Sequence, residues 1–301
     1  MKVGLIDVDG HNFPNLALMK ISAWHKKQGD DVEWCFPMSH YDIVYQSKVF
    51  DDTYSPDIEW TPQADKIVKG GTGYGLDNTL PPEIEHIYPD YGIYPEITKD
   101  TAYGFLTRGC PRGCKFCIVG EKEGLRSVKV ADLSEFWRGQ KHIELLDPNL
   151  LACKERMSLL DQLIESRAIV NFNQGLDIRL TNEEVAEKLG RMRIKRIHFA
   201  WDNPKQDLAP YFKRFSEAYR RKSSSTKVAY VLVNFDSTME ENLYRIYTLR
   251  DLGYDPYVMI YDKPNAPKEI KHLQRWVNNK FVFRSCEKFE DYKKGTRNER
   301  V

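Results

Sequence analysis

The chain has 301 residues, with 45 Lys+Arg against 44 Asp+Glu for a net charge of +1, and 41% of its residues are hydrophobic. At about 150 residues per domain this is one large domain or two ordinary ones, with enough apolar chain to bury a core without disulfides. Balanced charge and 12% aromatics exclude a disordered chain and give no global pull toward nucleic acid or an anionic membrane. No run approaches about 18 consecutive apolar residues, so no membrane-spanning helix is expected. The opening Met1-Lys2-Val3-Gly4-Leu5-Ile6-Asp7 meets an acid too early for a secretory leader and reads as a first strand. A cytoplasmic protein is expected, with cysteines that serve as ligands or buried thiols rather than disulfides.

In chain order, Lys2 to Asp9 reads as a buried strand. Asn12-Phe13-Pro14-Asn15 supplies a cap and an early proline for a helix to about Lys27, which carries Leu16, Met19 and Ala23 on one side and ends at Gly29. Asp31–Phe36 and Asp42–Phe50 read as further strands, and a fourth begins at Lys66–Lys69. Strands alternating with helices or loops predict an open α/β sheet, and the shortage of helices makes it a reduced version. Gly70-Gly71-Thr72-Gly73-Tyr74-Gly75 matches no phosphate-loop spacing and reads as a flexible interdomain turn. Residues 76 to 98, with Leu80-Pro81-Pro82-Glu83 and Tyr88-Pro89-Asp90-Tyr91, read as a stiff extended connector. The domain boundary falls near residue 95, giving units 1–95 and 96–301.

From Asp100 a second pattern repeats. Strand-like runs are Ala102–Thr107, His142–Leu146, Ile169–Phe172, Arg196–Trp201, Lys227–Asn234 and Pro256–Tyr261. Helix-like runs between them include Arg156–Arg167, Asn182–Arg191, Ala209–Arg221 and Met239–Leu252. The last has a capping box at Thr238 and Glu241 and a glycine, Gly253, after its end. Six βα units in succession predict a partial (βα)6 TIM-type barrel with a short C-terminal tail, and chemistry where strands end and loops begin. Arg220-Arg221-Lys222 and Lys293-Lys294 read as solvated faces.

Three of the six cysteines fall in eight residues, Cys110-Pro-Arg-Gly-Cys114-Lys-Phe-Cys117, directly after the first strand of this half. Structural zinc wants four ligands, typically from two paired motifs, and no second pair exists. A 4Fe–4S cluster also usually takes four thiolates, so three leave one iron open to a small molecule. A zinc-binding or redox-inert loop is the bland alternative. Cys35, Cys153 and Cys286 are scattered and read as buried small apolar residues.

On these residues the chain resembles the radical S-adenosylmethionine enzymes, whose signature is C-x3-C-x2-C after the first barrel strand with an aromatic, here Phe116, before the third cysteine. The resemblance continues through Leu106-Thr107-Arg108-Gly109-Cys110-Pro111 and Ile118-Val119-Gly120-Glu121-Lys122-Glu123-Gly124, and back into Lys69–Gly75 and Leu80–Glu85. It covers nearly the whole chain and is to members with a cobalamin-binding-like N-terminal domain. It implies an α/β chain with a reduced Rossmann-like N-terminal domain and a partial (βα)6 barrel. It further implies that Cys110, Cys114 and Cys117 bind a 4Fe–4S cluster whose open iron chelates the amino and carboxylate groups of S-adenosylmethionine. Reduction would yield methionine and a 5′-deoxyadenosyl radical that takes hydrogen from a substrate.

Further cofactor-binding candidates lie at strand ends. Asp147 or Asn149 is placed to accept from the methionine amino group, against a simple turn-forming Asp-Pro-Asn. Arg179 is placed to pair with the methionine carboxylate, and Gln174 and Asp177 to meet ribose or substrate, against a salt-bridged loop. Asp202 is placed on ribose hydroxyls. The sixth strand, Val258–Tyr261, would offer backbone groups to adenine, whereas Trp201 reads as core. Asp9-Gly-His11-Asn-Phe-Pro14 is similar to the D-x-H-x-x-G pattern whose histidine ligates cobalt. Pro14 stiffens that loop and the domain is short, so the reading counts against cobalamin. Expected partners are an electron donor such as flavodoxin or ferredoxin and a small molecule, peptide or nucleotide in preference to folded RNA, with no membrane. The competing function is an iron–sulfur scaffold or electron carrier without radical chemistry.

Overall fold

The computed structural model describes residues 1–10, 12–219 and 227–292. His11, Arg220-Arg221-Lys222, Ser223-Ser224-Ser225 and Lys293-Lys294 lie outside the described residues. The first elements are β1 (Lys2–Asp7), α1 (Leu16–Lys27), β2 (Asp31–Trp34), β3 (His40–Ser47) and β4 (Gln63–Gly70). The strands form a parallel sheet in the order β2-β1-β3-β4. Asn15 starts α1, its side-chain oxygen accepting from Leu18 N at 3.2 Å. His25, Lys26 and Lys27 sit at the end of α1, where positive charge suits the helix dipole. Leu18 and Ile21 of α1 pack on Val3 and Leu5 of β1. Ile6, Tyr41 and Val44 form a separate small cluster under loop residues Ile58 and Trp60.

The segment expected to be an extended connector is a succession of short helical turns: α2 (Pro82–Glu85), a 3-10 turn at Tyr91–Ile93 and α3 (Pro95–Thr98). Pro82 and Pro95 open their helices, where a fixed φ is pre-organised and the missing N–H has no partner to lose. Asp90 caps the middle turn through Gly92 N. The glycine run is no flexible turn either. Gly71 adopts φ +94°, and a Cβ there would lie 2.3 Å from the Lys48 carbonyl oxygen. Lys48 N donates to Gly70 O and Gly73 N to Lys48 O, which bind the run to the end of β3.

The second sheet follows β5 (Thr101–Gly104), β6 (Thr107–Arg108), α4 (Val119–Glu123), β7 (Val128–Lys129), β8 (His142–Leu145), α5 (Arg156–Ser166), β9 (Ile169–Phe172), α6 (Glu183–Arg191), β10 (Arg193–Ala200), α7 (Ala209–Ala218), β11 (Lys227–Val233), α8 (Met239–Asp251), β12 (Asp255–Ile260), α9 (Lys268–Asn278) and α10 (Lys280–Ser285). Its order is sequential, β5-β8-β9-β10-β11-β12, and every pairing is parallel. The first crossover departs from the expected repeat. The run Ala102–Thr107 is broken after Gly104, β6 pairs antiparallel with β7, and the helix between them has only five residues. The chain leaves the ladder because Leu106 N and Thr107 N donate to the Asp147 carboxylate. Elsewhere the expected helices form, and the Thr238–Glu241 capping box is present in both directions.

β11 shows how this sheet divides its faces. Ala229, Val231 and Val233 are buried under the helices, while Val228, Tyr230 and Leu232 turn toward a cavity. Phe212 and Phe215 of α7, Ile246 and Leu249 of α8 and Trp276 of α9 join them in one continuous core. The two halves are tied by Arg108 Nη2 on Glu85 at 3.4 Å, which Lys20 Nζ holds from its own half at 2.9 Å, and by Lys122 Nζ on the carbonyls of Leu76 and Asn78.

Candidate metallocofactor site

A cavity of about 3390 Å³ is lined by strand ends of both sheets and by inward residues along β10, β11 and β12. The cysteine loop forms part of its wall, and Cys110, Cys114, Phe116 and Cys117 all face it. Glu123 anchors the loop: its carboxylate takes Gly109 N at 3.0 Å and Arg108 Nη1 at 2.9 Å. Gly109 has φ +84°, and a Cβ there would stand 2.1 Å from Arg126 O, so the approach of the two chain segments requires glycine. Cys110 N donates to Gly124 O and Cys117 N to Cys114 O. Cys110 and Cys114 are half-buried and Cys117 is exposed. Burial pushes the Cys114 thiol up, partly offset by Arg112.

The loop of Asp147, Pro148 and Asn149 sits beside it. Asn149 is buried, donates from Nδ2 to Cys110 Sγ at 3.5 Å, and leaves Oδ1 without a hydrogen-bond partner. A buried acceptor beside the Cys110 thiol is thereby left able to take a donor. Asp147 departs from its expected place. It does not face the cavity; its oxygens accept from Leu106 N, Thr107 N and Thr107 Oγ1. Burial raises its carboxyl to about 6. Asp147, just beyond β8, therefore braces the base of the cysteine loop through Leu106 and Thr107.

Gln174, Asp177 and Arg179, after β9, all face the cavity. The Arg179 fork is already filled by Asp177, through Nε at 2.8 Å and through Nη2. The expected carboxylate contact of Arg179 is thus occupied by its own neighbour, and the salt-bridged-loop alternative describes this geometry. Asp177 also meets Arg112 Nη1 at 3.3 Å. Burial raises the Asp177 carboxyl, and Arg112 pulls it back. Asp202 lies in the cavity wall after β10, its Oδ1 accepting from Leu232 N at 3.2 Å, and burial raises it to about 6. Phe116 meets Phe235 edge-on at 5.6 Å, and Phe235 meets Tyr261 at 4.9 Å. The backbone groups expected to meet adenine are partly taken: Tyr261 N donates to Val233 O, and Tyr261 O accepts from Asn234 Nδ2. Trp201 is core, as expected.

Two residues escaped the sequence reading. Arg112, inside the cysteine spacing, reaches Asp177 across the cavity; its signal was a charge within the motif itself. Arg245 is 1% exposed and bonds the carbonyls of Trp201, Asp202 and Leu232 and the side chain of Asn242. It ties the ends of β10 and β11 together under Asp202. Burial lowers it to about 10. An arginine beside the apolar stripe of α8 was its signal. Among the scattered cysteines, Cys153 is buried in the core as expected, whereas Cys35 and Cys286 are only half-buried.

The donor set fits an iron–sulfur cluster. Three thiols with an N–H directed at one sulfur suit iron, and hydrogen bonds to sulfur tune such clusters. Among the described residues no three His, Cys, Asp or Glu side chains converge on one metal-ion position. Thiolates of a cluster bond different irons and need not share a point. Among the described residues no helix is long and apolar enough to cross a membrane.

No protein-family model and no curated protein matches the sequence. The fold does match a solved structure. The radical S-adenosylmethionine methyltransferase TsrM from Kitasatospora setae, solved with cobalamin and a 4Fe–4S cluster bound, superposes with a TM-score of 0.61 at 12% identity, over 86% of this chain and 74% of that one. The mixed α/β fold with its parallel sheets is thus one found among radical S-adenosylmethionine enzymes. Because that structure carries cobalamin, the sequence-based argument against cobalamin finds no support in the comparison.

Proposed function

We propose that the protein is a radical S-adenosylmethionine enzyme, built as a reduced Rossmann-like domain over residues 1–95 and a partial (βα)6 barrel over 96–301. The observation that carries this reading is the three-thiol loop opening into the cavity, with Asn149 bound to Cys110 and its Oδ1 left for a donor. Cys110, Cys114 and Cys117 would hold a 4Fe–4S cluster that supplies, when bound and reduced, the electron that splits S-adenosylmethionine into methionine and a 5′-deoxyadenosyl radical. Asn149 accepts from the methionine amino group. Phe116 and Phe235 offer ring faces to the adenosyl moiety, Asp202 accepts from ribose, and Gln174 faces the ligand from β9. Asp177 holds both Arg112 and Arg179, and so shapes the wall of the cavity.

A cavity of this size beside the thiols favours an enzyme over a scaffold or electron carrier, neither of which needs room for a second ligand. The partners proposed are a flavodoxin- or ferredoxin-type donor and a small molecule, peptide or nucleotide, in the cytoplasm. The test is anaerobic reconstitution with iron and sulfide, followed by reduction with dithionite in the presence of S-adenosylmethionine. Formation of 5′-deoxyadenosine supports the reading. A full cluster with none formed would leave the scaffold.

A further inference from the structure

Closed parallel barrels fill their interior with layers of bulky branched side chains. This sheet turns a different surface inward. After the register shift between Ile194 and Arg196, β10 directs Arg196 and His198 to the cavity; β11 directs Tyr230 there, and β12 Asp255, Tyr257 and Met259. Strand register sets Tyr230 beside Tyr257, and His198 one row away beside Val228 and Asp255. The His198 and Tyr230 rings are parallel with centroids 5.2 Å apart, and Tyr257 stands edge-on to Tyr230 at 5.9 Å. The polar tips are spoken for: Tyr230 OH donates to Asn173 O at 3.1 Å, and His198 Nδ1 lies 2.8 Å from Phe172 O. Ring surface is what remains on offer, and Tyr257 and Met259 are 42% and 46% exposed.

The same stretch of cavity gathers positive charge. Arg196 from β10 is joined by Lys280 and Arg284 from α10. Asp255, Arg284 and Arg196 all lie close enough to Lys280 to act on it, Asp255 holding its proton and the two arginines loosening it. Lys280 Nζ donates to Pro256 O at 2.7 Å. Glu144 on β8 is engaged with Asn171 and lies 3.7 Å from Lys195. Among the described residues none of the three cations forms an ion pair, so three positive charges meet one carboxylate in a concave site. Such a site concentrates anions.

We infer that this part of the cavity is a substrate pocket for a flat, anionic molecule: an aromatic or heteroaromatic ring packed on Tyr230 and Tyr257, with a carboxylate or phosphate held by Arg196, Lys280 and Arg284. The inference rests on the proposed function, in that the thiols lining the same cavity hold the cofactor. It narrows the favoured substrate to an anionic ring compound.

The test titrates the full-length protein with benzoate, phenyl phosphate and neutral benzamide, read by saturation-transfer NMR. At least one of the two anions is expected to bind about tenfold tighter than benzamide, the value of a charge-assisted hydrogen bond. The tighter anion identifies carboxylate or phosphate. The double variant Arg196→Gln/Arg284→Gln, which changes two exposed side chains, should abolish the preference, and Tyr257→Ala should weaken all three probes. Cys110→Ala removes the cluster and should leave the preference intact, which separates failure of this pocket from failure of the radical reading. No preference for the anions overturns the inference. So does a preference that survives the double arginine variant or disappears with Cys110.

Discussion

Strand for strand, β1–β4 and the six-stranded sheet from β5 to β12 are alike: both run parallel and both end at one cavity. They differ in what covers their outer faces. Beyond β5, helices α5 to α9 lie over the sheet and share one continuous core with it. The N-terminal sheet has a single long helix, two small apolar clusters and a last strand, β4, with no fully buried residue. A parallel sheet needs cover on both faces. The N-terminal one has it only in patches, so it serves as a wall of the cavity, while the C-terminal sheet is the rigid frame that carries the thiols.

The two sheets should differ most at their cysteines. Alanine at Cys110, Cys114 or Cys117 should abolish iron binding after reconstitution, whereas Cys35→Ala in the N-terminal sheet should leave iron content unchanged; iron assay and visible absorbance read both. Next, Phe199→Ala on β10, fully buried among Phe212, Phe215 and Tyr254, should cost about 3–5 kcal/mol. Ile67→Ala on β4, at 37% exposure, should cost about 1 kcal/mol or less. Urea unfolding measures the pair, and similar costs would show that the two sheets are equally buried after all.

Asp147 tests the joint between loop and frame. Asp147→Ala strands three donors and should cost about 2–4 kcal/mol. Its folded carboxyl titrates near 6, against 3.8 for an unperturbed one. Between those pH values the folded chain keeps a proton that the unfolded chain has lost, so stability falls as pH rises through the window, by up to about 3 kcal/mol. Thermal melts from acid to neutral pH should show this fall, and Asp147→Asn should flatten it. The smallest effect is expected at Lys122→Met, which loses two carbonyl contacts to the N-terminal half. About 1 kcal/mol is expected. Amide exchange should show the gain in opening confined to residues near 76–78.

Much of the candidate site was legible because its signals are local. Cysteine spacing, the strand before it and the aromatic at Phe116 need no distant partner to be read. What Asp147 and Arg179 do was not legible. Asp147 finds its donors 40 and 41 residues away, and Arg179 looks equally free to meet a ligand or its neighbour Asp177. Only packing decides which. The prolines of 76–98 misled for another reason: the same fixed φ serves an extended chain and the first residue of a helix.

The amino-acid sequence by itself determined where strands and helices alternate, where helices begin and end, and which three thiols stand together, because alternation, caps and short motifs act within a few residues. Tertiary structure alone decided that Asp147 braces the loop, that Arg245 is buried beneath Asp202, and that Arg196, Lys280 and Arg284 meet beside two tyrosines. Those outcomes depend on which strands become neighbours, and no segment carries that information in its own pattern.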